Sequence, residues 1–138
     1  MSKIKFSIVT PEKTVLEKTV DSISVMTSTG EITILPNHAP LVSELMPGEA
    51  RITVEGKEES LAVSTGFVEI RDGGEVVILA DTADRAEDLD IEAIKTAQDE
   101  ARKVMEAKET VSDEDYARAS AALLREAAKH RVAMKRKR

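Results

Sequence analysis

The sequence predicts an α+β fold in which an N-terminal antiparallel β-sandwich of about eight to ten short strands precedes an antiparallel hairpin of two helices. Three observations lead to this prediction. Apolar and polar residues alternate in short runs over residues 3–80, with turn residues between the runs. After residue 90 the apolar residues recur at steps of three and four. The parts also differ in charge, since residues 1–84 hold 7 Lys and Arg against 14 Asp and Glu, and residues 85–138 hold 13 against 12.

The strand runs follow one another along the first part. The first has Ile4, Phe6 and Ile8 on one face and ends at a turn that places Pro11 in its favoured early position. Further runs are expected at 15–20, 22–27, 31–35 and 41–45. Pro47-Gly48 predicts a type II turn, because glycine tolerates positive φ. Two hairpins complete the set, 50–54 with 58–63 around Glu55-Gly56-Lys57, and 66–71 with 75–80 around Asp72-Gly73-Gly74.

The second part begins after an acidic stretch, residues 81–88, in which we expect neither a strand nor a clear helix. This stretch divides the chain into an expected β-sandwich domain, residues 1–84, and an expected helical hairpin, residues 85–138. Asp90 is the predicted N-cap of a first helix that ends near Lys108, and Ser112 is the predicted N-cap of a second that reaches Arg138. Alanine fills many of the apolar positions, so the hairpin buries little apolar area and is expected to open readily.

Composition excludes several classes of function. The chain has no Cys, a net charge of −6 and three aromatic residues, so neither a disulfide framework nor a base-stacking nucleic-acid surface is expected. No run approaches the roughly 20 apolar residues that a membrane span needs, so direct membrane insertion is not expected. Neither histidine, His38 or His130, has a second ligand at zinc spacing, and no nucleophile elbow is present. We therefore expect neither a metal site nor a catalytic site, and an unrecognised β-sandwich enzyme is the disfavoured alternative.

The most distinctive motif lies in residues 30–42, where a strand breaks into a corner and restarts. Pro36 and Pro40 fix φ at their own positions and favour extended conformations before them, so the corner should be stiff and irregular. This stretch resembles the G-E-x-x-I-L-P-x-H-x-P-L signature of the ε subunit of F-type ATP synthases, called δ in mitochondria. The matching residues are Gly30, Glu31, Ile34, Leu35, Pro36, His38, Pro40 and Leu41. The resemblance extends from residues 9–11 through 62–70 to 85–88 and covers essentially the whole chain.

The resemblance implies a non-catalytic central-stalk subunit of a proton- or sodium-translocating F-type ATP synthase. It implies coupling of the γ subunit to the membrane rotor ring of c subunits, and inhibition of ATP hydrolysis by C-terminal helices that meet the α and β subunits. The implied location is peripheral, on the cytoplasmic face of the cell membrane. The implied contacts with ring and shaft are Glu31, Pro36, His38 and Pro40. From the residues alone, His38 could instead be a loop histidine that hydrogen-bonds within the corner, and the two roles are compatible.

Two further sets of residues take their roles from the resemblance. The second helix carries more cations than its dipole requires, and the family's use of this helix implies head contacts by Arg118, Arg125, Lys129 and Arg131. The family's ATP-binding motif, Ile/Leu-Asp-x-x-Arg-Ala, is degenerate here: Asp90 is retained, but Ala93 and Ile94 replace Arg and Ala. We therefore expect no bound cofactor and weak or undetectable ATP binding, with Asp90 serving as an N-cap. A free-standing ATP-sensing regulatory protein is the alternative function.

Overall fold

The computed structural model describes residues 2–136, and in this range ten strands precede two helices. The strands are β1 Ile4–Val9, β2 Thr14–Val20, β3 Ser22–Thr27, β4 Gly30–Ile34, β5 Leu41–Leu45, β6 Gly48–Val54, β7 Lys57–Val63, β8 Gly66–Arg71, β9 Glu75–Ala80 and β10 Ala83–Arg85. A single 3₁₀ turn, Ala86–Asp88, leads into α1, Ile91–Glu106, and α2, Asp113–Arg136. The predicted fold class, a β-sandwich followed by a helical hairpin, is confirmed.

The strands pair in the order β10-β7-β6-β3-β5-β8-β9-β1-β2, and β4 pairs with β3 beside this path. Strand β1 pairs in parallel with β9 and antiparallel with β2. Between β3 and β5 the registered pair is Thr27 with Leu45, and this short junction lets the sheet fold over into two layers. The layers enclose the core and leave their other faces to solvent or to the helices.

The core is aliphatic, as the strand alternation predicts. In β3, Ile23 and Val25 are fully buried, whereas Met26 lies on the outer face. The same alternation in β4 buries Ile34 and leaves Glu31 exposed. All members of the buried core cluster come from residues 4–80. The hydrophobic core of the sandwich is therefore built without α1 or α2.

Turns are predicted correctly where glycine is needed for positive φ. In the β6–β7 hairpin, Glu55 and Gly56 have φ of 50° and 81°, the left-handed pair expected of a type I′ turn. The type II turn expected at Pro47-Gly48 is wrong, because Gly48 opens β6 and pairs with Val63. A Cβ atom at Gly48 would lie 3.2 Å from the Cβ of Met26, so close packing is what this glycine allows.

Residues 81–88 also depart from expectation. We expected no strand there, but β10 pairs with β7, placing Ala83 opposite Val63 and Arg85 opposite Leu61. A strand of three residues is too short to show alternation of apolar and polar residues. Strand β10 also depends on pairing with β7, about 20 residues earlier in the sequence, so no local signal predicts it. Strand β10 lies across the expected boundary between residues 84 and 85, and the division into two units stays a prediction.

The helices begin where their N-caps were predicted. The Oδ1 atom of Asp90 accepts hydrogen bonds from the amides of Glu92 at 2.9 Å and Ala93 at 3.4 Å. Helix α1 ends at Glu106, two residues before the predicted end, because the chain turns at residues 107–110. Helix α2 packs against α1, β6, β7 and the 3₁₀ turn. Among the helices of residues 2–136, none is long and apolar enough to span a membrane.

Candidate functional site

The proline corner between β4 and β5 is an exposed and well-defined turn. The amide of His38 donates to the carbonyl oxygen of Leu35 at 3.3 Å, with Pro36 and Asn37 between them and φ of 69° at Asn37. This is the arrangement of a type II turn, which requires positive φ at its third residue. The Nδ1 atom of His38 lies 2.7 Å from the carbonyl oxygen of Ala39, so the predicted local hydrogen bond is present. Pro36 is half-buried, and His38 and Pro40 are exposed.

Glu31 lies near the other end of β4 from this corner. Its side chain is exposed and pairs with the guanidinium of Arg51 on β6. Because a strand rises about 3.3 Å per residue, Glu31 and Ile34 are about 10 Å apart along β4, and His38 lies beyond Ile34. Glu31 and His38 thus mark the two ends of one short strand. A partner that contacts both residues must cover the length of β4.

A cluster of large apolar side chains lies exposed on the outer side of the sheet, and we call it the outer apolar face. Its members and their exposed fractions are Met26 36%, Val42 65%, Met46 37%, Phe67 52% and Leu79 45%. Phe67 is central, because it pairs with Leu79 on β9 and with Glu44 on β5, between Val42 and Met46. Clustered exposed apolar side chains of this kind mark interaction sites.

The outer apolar face is absent from the sequence-based predictions, although one signal in the sequence points to it. In β8 the buried residues are Val68 and Ile70, so alternation places Phe67 on the outer side together with Glu69. An aromatic residue on the polar side of a strand therefore indicates a contact surface. Met26 and Met46 give no such signal, because they are distant in sequence. The fold brings them together, and the amide of Met46 donates to the carbonyl oxygen of Met26 at 3.0 Å.

The four cations predicted on α2 have different surroundings. Arg118 is 72% exposed and pairs with Glu114 one turn earlier at 2.9 Å, and Arg131 is exposed. Arg125 lies 3.6 Å from the buried carboxylate of Glu126. Lys129 faces the sandwich, with its Nζ atom 3.1 Å from Glu126 and 3.7 Å from Asp84 of β10. Arg118 and Arg131 are thus available to a partner while α2 is docked.

The cations at the end of α2 also differ in whether they contact the sandwich or lie exposed. The Nζ atom of Lys135 lies between two carboxylates of the sandwich, 3.0 Å from Glu49 and 2.9 Å from Glu58. Arg136 is exposed. Lys137 and Arg138, the predicted end of the second helix, lie outside the described residues. Helix α2 therefore uses two lysines, Lys129 and Lys135, to hold itself against the sandwich.

The region around Asp90 is a helix start in this structure. Its Oδ1 atom is engaged by two backbone amides, and Ala93 is exposed where the family motif has a cation. Ile94 is 2% exposed and lies on α1, which packs against α2. Weak ATP binding stays a prediction. Among residues 2–136, no three His, Asp or Glu side chains are grouped so as to hold a metal ion.

Comparison with known protein families gives a match over the sandwich. The sequence profile described as "ATP synthase, Delta/Epsilon chain, beta-sandwich domain" matches residues 3–86. This range covers all ten strands and ends within the 3₁₀ turn.

Individual proteins match over both parts of the chain. An "ATP synthase epsilon chain" of Shouchella clausii is 43% identical over 96% of this chain and 100% of its own length. The protein of the same name from Carboxydothermus hydrogenoformans is 47% identical over 72% of this chain and 74% of its own. Among solved structures, a chain of the Euglena gracilis mitochondrial ATP synthase, in its OSCP/F1/c-ring assembly, superimposes with a TM-score of 0.76. It is 26% identical and covers 90% of this chain and 77% of that one.

Proposed function

The chain belongs to the delta/epsilon family of ATP synthase chains, and from that premise we propose that it joins the γ shaft to the membrane rotor ring and restrains ATP hydrolysis through α1 and α2. In this role it catalyses no reaction itself. The observation that carries the proposal is the match to an epsilon chain along nearly the full length, helices included. The coupling ion is a proton or sodium, and the location is the cytoplasmic face of the cell membrane.

The outer apolar face supports the shaft contact. Phe67 and Val42 are more than half exposed, and their contact with a partner would remove that apolar surface from water. Aromatic side chains at the centre of such a patch commonly carry much of the binding free energy. We assign the outer apolar face to the γ subunit.

The proline corner supports the ring contact. Its backbone is fixed by Pro36, Pro40 and the turn hydrogen bond at His38, so presenting it to a partner costs little conformational entropy. Its exposed surface combines the polar ring of His38 with the apolar side chain of Leu35, which is 58% exposed. We assign the corner, together with Glu31, to the polar loops of the c subunits.

We infer that the helical hairpin restrains hydrolysis by moving between a docked and an extended arrangement. Four of the residues that it buries are alanines, Ala101, Ala119, Ala128 and Ala133, so its packing contributes little apolar burial. The 24 residues of α2 span about 36 Å, which is long enough to extend along a shaft. Extended, α2 would present Arg118, Arg125, Lys129 and Arg131 to carboxylates of the α and β subunits. The balance between docked and extended forms then sets the rate of hydrolysis.

Replacing the central residue of the outer apolar face tests the shaft contact. Phe67→Glu is expected to weaken binding of the chain to the γ subunit of the same organism by at least about 30-fold, because a buried charge replaces an aromatic anchor. Isothermal titration calorimetry with purified γ measures the dissociation constant. Thr19→Glu is the matched control, since it adds the same charge to an exposed site on β2, three strands from β8.

The two variants separate a specific contact from a general effect of charge. We expect Thr19→Glu to bind γ as the unchanged chain does. Equal affinities for all three proteins would show that the outer apolar face is not the shaft contact. Circular dichroism of each variant confirms that the strands are intact before titration.

A further inference from the structure

Lys135, near the end of α2, is held by two carboxylates of the sandwich. Its Nζ atom lies 3.0 Å from Glu49 on β6 and 2.9 Å from Glu58 on β7. Glu49 has a side chain only 11% exposed, whereas that of Glu58 is 48% exposed. Burial opposes the charged form of Glu49, but hydrogen bonds from Ser60 and Lys135 hold its pKa below the usual value. Lys135 is therefore a fixed point of attachment for the end of α2.

Glu49 also faces a second cation. The Nη1 atom of Arg51 lies 3.4 Å from Glu49, and the Nη2 atom of Arg51 pairs with Glu31 on β4. The hydrogen bond to Glu31 raises the pKa of Arg51, although the guanidinium is partly desolvated. Alternating charges thus connect β4 to α2, and we call this set the charge network: Glu31, Arg51, Glu49, Lys135 and Glu58.

Exposed ion pairs usually contribute little to the stability of a folded structure, and most ion pairs of this protein are exposed. The charge network differs because the nearly buried carboxylate of Glu49 is shared between Arg51 and Lys135. Removing the negative charge of Glu31 leaves Arg51 with one carboxylate fewer. The guanidinium then competes more strongly for Glu49 and repels Lys135. Because alanine dominates the packing of α2, a small electrostatic change is enough to shift its docking equilibrium.

We propose that the charge network couples Glu31 to the docking of α2, so that neutralising Glu31 weakens the attachment of Lys135 and favours release of the helix. A positively charged group of a partner that pairs with Glu31 has the same effect. Given the proposed function, on which this consequence rests, contact of Glu31 with the ring would be transmitted to the inhibitory hairpin. The coupling itself is a property of the isolated chain.

Native-state hydrogen exchange, followed by NMR on the full chain, measures the opening of α2 at the amides of Val132 and Ala133. Three variants form a double-mutant cycle: Glu31→Gln, Lys135→Gln and the two together. We expect Glu31→Gln to raise the opening constant about two- to threefold and Lys135→Gln about fivefold, from the usual strength of partly exposed pairs. In the double variant, Glu31→Gln should add nothing to the effect of Lys135→Gln.

Glu75→Gln is the matched control. Glu75 is 44% exposed and pairs with Arg71, whereas Glu31 is 43% exposed and pairs with Arg51, but the Arg71 pairs do not reach α2. We expect Glu75→Gln to leave the α2 amides unchanged. An unchanged opening constant in Glu31→Gln, or the same increase with and without Lys135, would overturn the coupling. No γ subunit or ring is present in this experiment. A negative result would therefore overturn the coupling without contradicting the proposed function. Evidence against the proposed function would likewise leave the coupling unaffected.

Discussion

Gly66→Ala is expected to lower the free energy of unfolding of the sandwich by at least about 3 kcal/mol, because the site has no room for a methyl group. A Cβ atom at Gly66 would lie 1.9 Å from the carbonyl oxygen of Leu79 and 2.8 Å from the Cα atom of Ala80. Both neighbours are backbone atoms, so no side chain can rotate away. Relief requires β8 and β9 to separate, and each of these strands has a partner on both sides in the pairing order.

Urea unfolding followed by circular dichroism measures this loss, with Gly56→Ala as the control. Gly56 has φ of 81° and no atom within 4 Å of an added Cβ. Gly56→Ala is therefore expected to lower the free energy of unfolding by about 1 kcal/mol, from backbone strain alone. A loss at Gly66 no larger than the loss at Gly56 would show that β8 and β9 can move apart at little cost.

Removing both helices is expected to raise ATP hydrolysis by the assembled enzyme several-fold while leaving binding to γ intact. A chain that ends at Leu89 keeps β10 and every member of the buried core cluster, so the sandwich should fold alone. A cut after residue 84 would divide β10 and remove its pairing between Arg85 and Leu61. Hydrolysis is measured by phosphate release from enzyme reconstituted with either form. An unfolded fragment would show that the sandwich needs the helices to fold. Unchanged hydrolysis with the folded fragment bound would show that the helices are not the restraint.

A variant that keeps the helices shows whether charge carries part of this restraint. Arg118 and Arg131 are suitable because both are exposed while α2 is docked, whereas Lys129 also holds the docked form through Glu126 and Asp84. Replacing both arginines by alanine keeps helix propensity. This double variant should raise hydrolysis to a level between that of the unchanged enzyme and that of the enzyme with the helix-free chain. The matched control replaces two exposed lysines of α1, Lys95 and Lys103. Equal hydrolysis by both double variants would indicate that the shape of α2, and not these charges, restrains the enzyme.

The parts of the fold that the sequence predicts are those with a repeating local signal. Alternation in β3 and β4 identifies Ile23, Val25 and Ile34 as buried, and Glu55-Gly56 identifies its turn, because each signal lies within a few neighbouring residues. The missed features depend on distant neighbours. Strand β10 forms because the edge of β7 is available, and Gly48 lies in β6 and not in a turn because it pairs with Val63.

The same distinction between local signals and distant neighbours applies to the candidate site. The proline corner is recognisable because Pro36, His38 and Pro40 lie within five residues of sequence. Its regular type II turn was not expected, since the sequence predicts an irregular corner. The attachment of Lys135 could not be predicted, because Glu49 and Glu58 precede it by 86 and 77 residues. Any of the surplus cations of α2 fits a solvated or partner-facing role equally well by sequence. Only the packing of α2 on the sandwich selects Lys129, beside Asp84, and Lys135, beside Glu49 and Glu58, as contacts within the chain.

The most direct test of the proposed function is purification of the affinity-tagged full chain from membranes of its own organism in mild detergent, followed by identification of co-purifying proteins by mass spectrometry. The proposal predicts recovery of the γ, α, β and c subunits of one ATP synthase, and their loss from the Phe67→Glu variant. Recovery of the intact chain without the γ, β or c subunits would contradict its role as the link between shaft and ring.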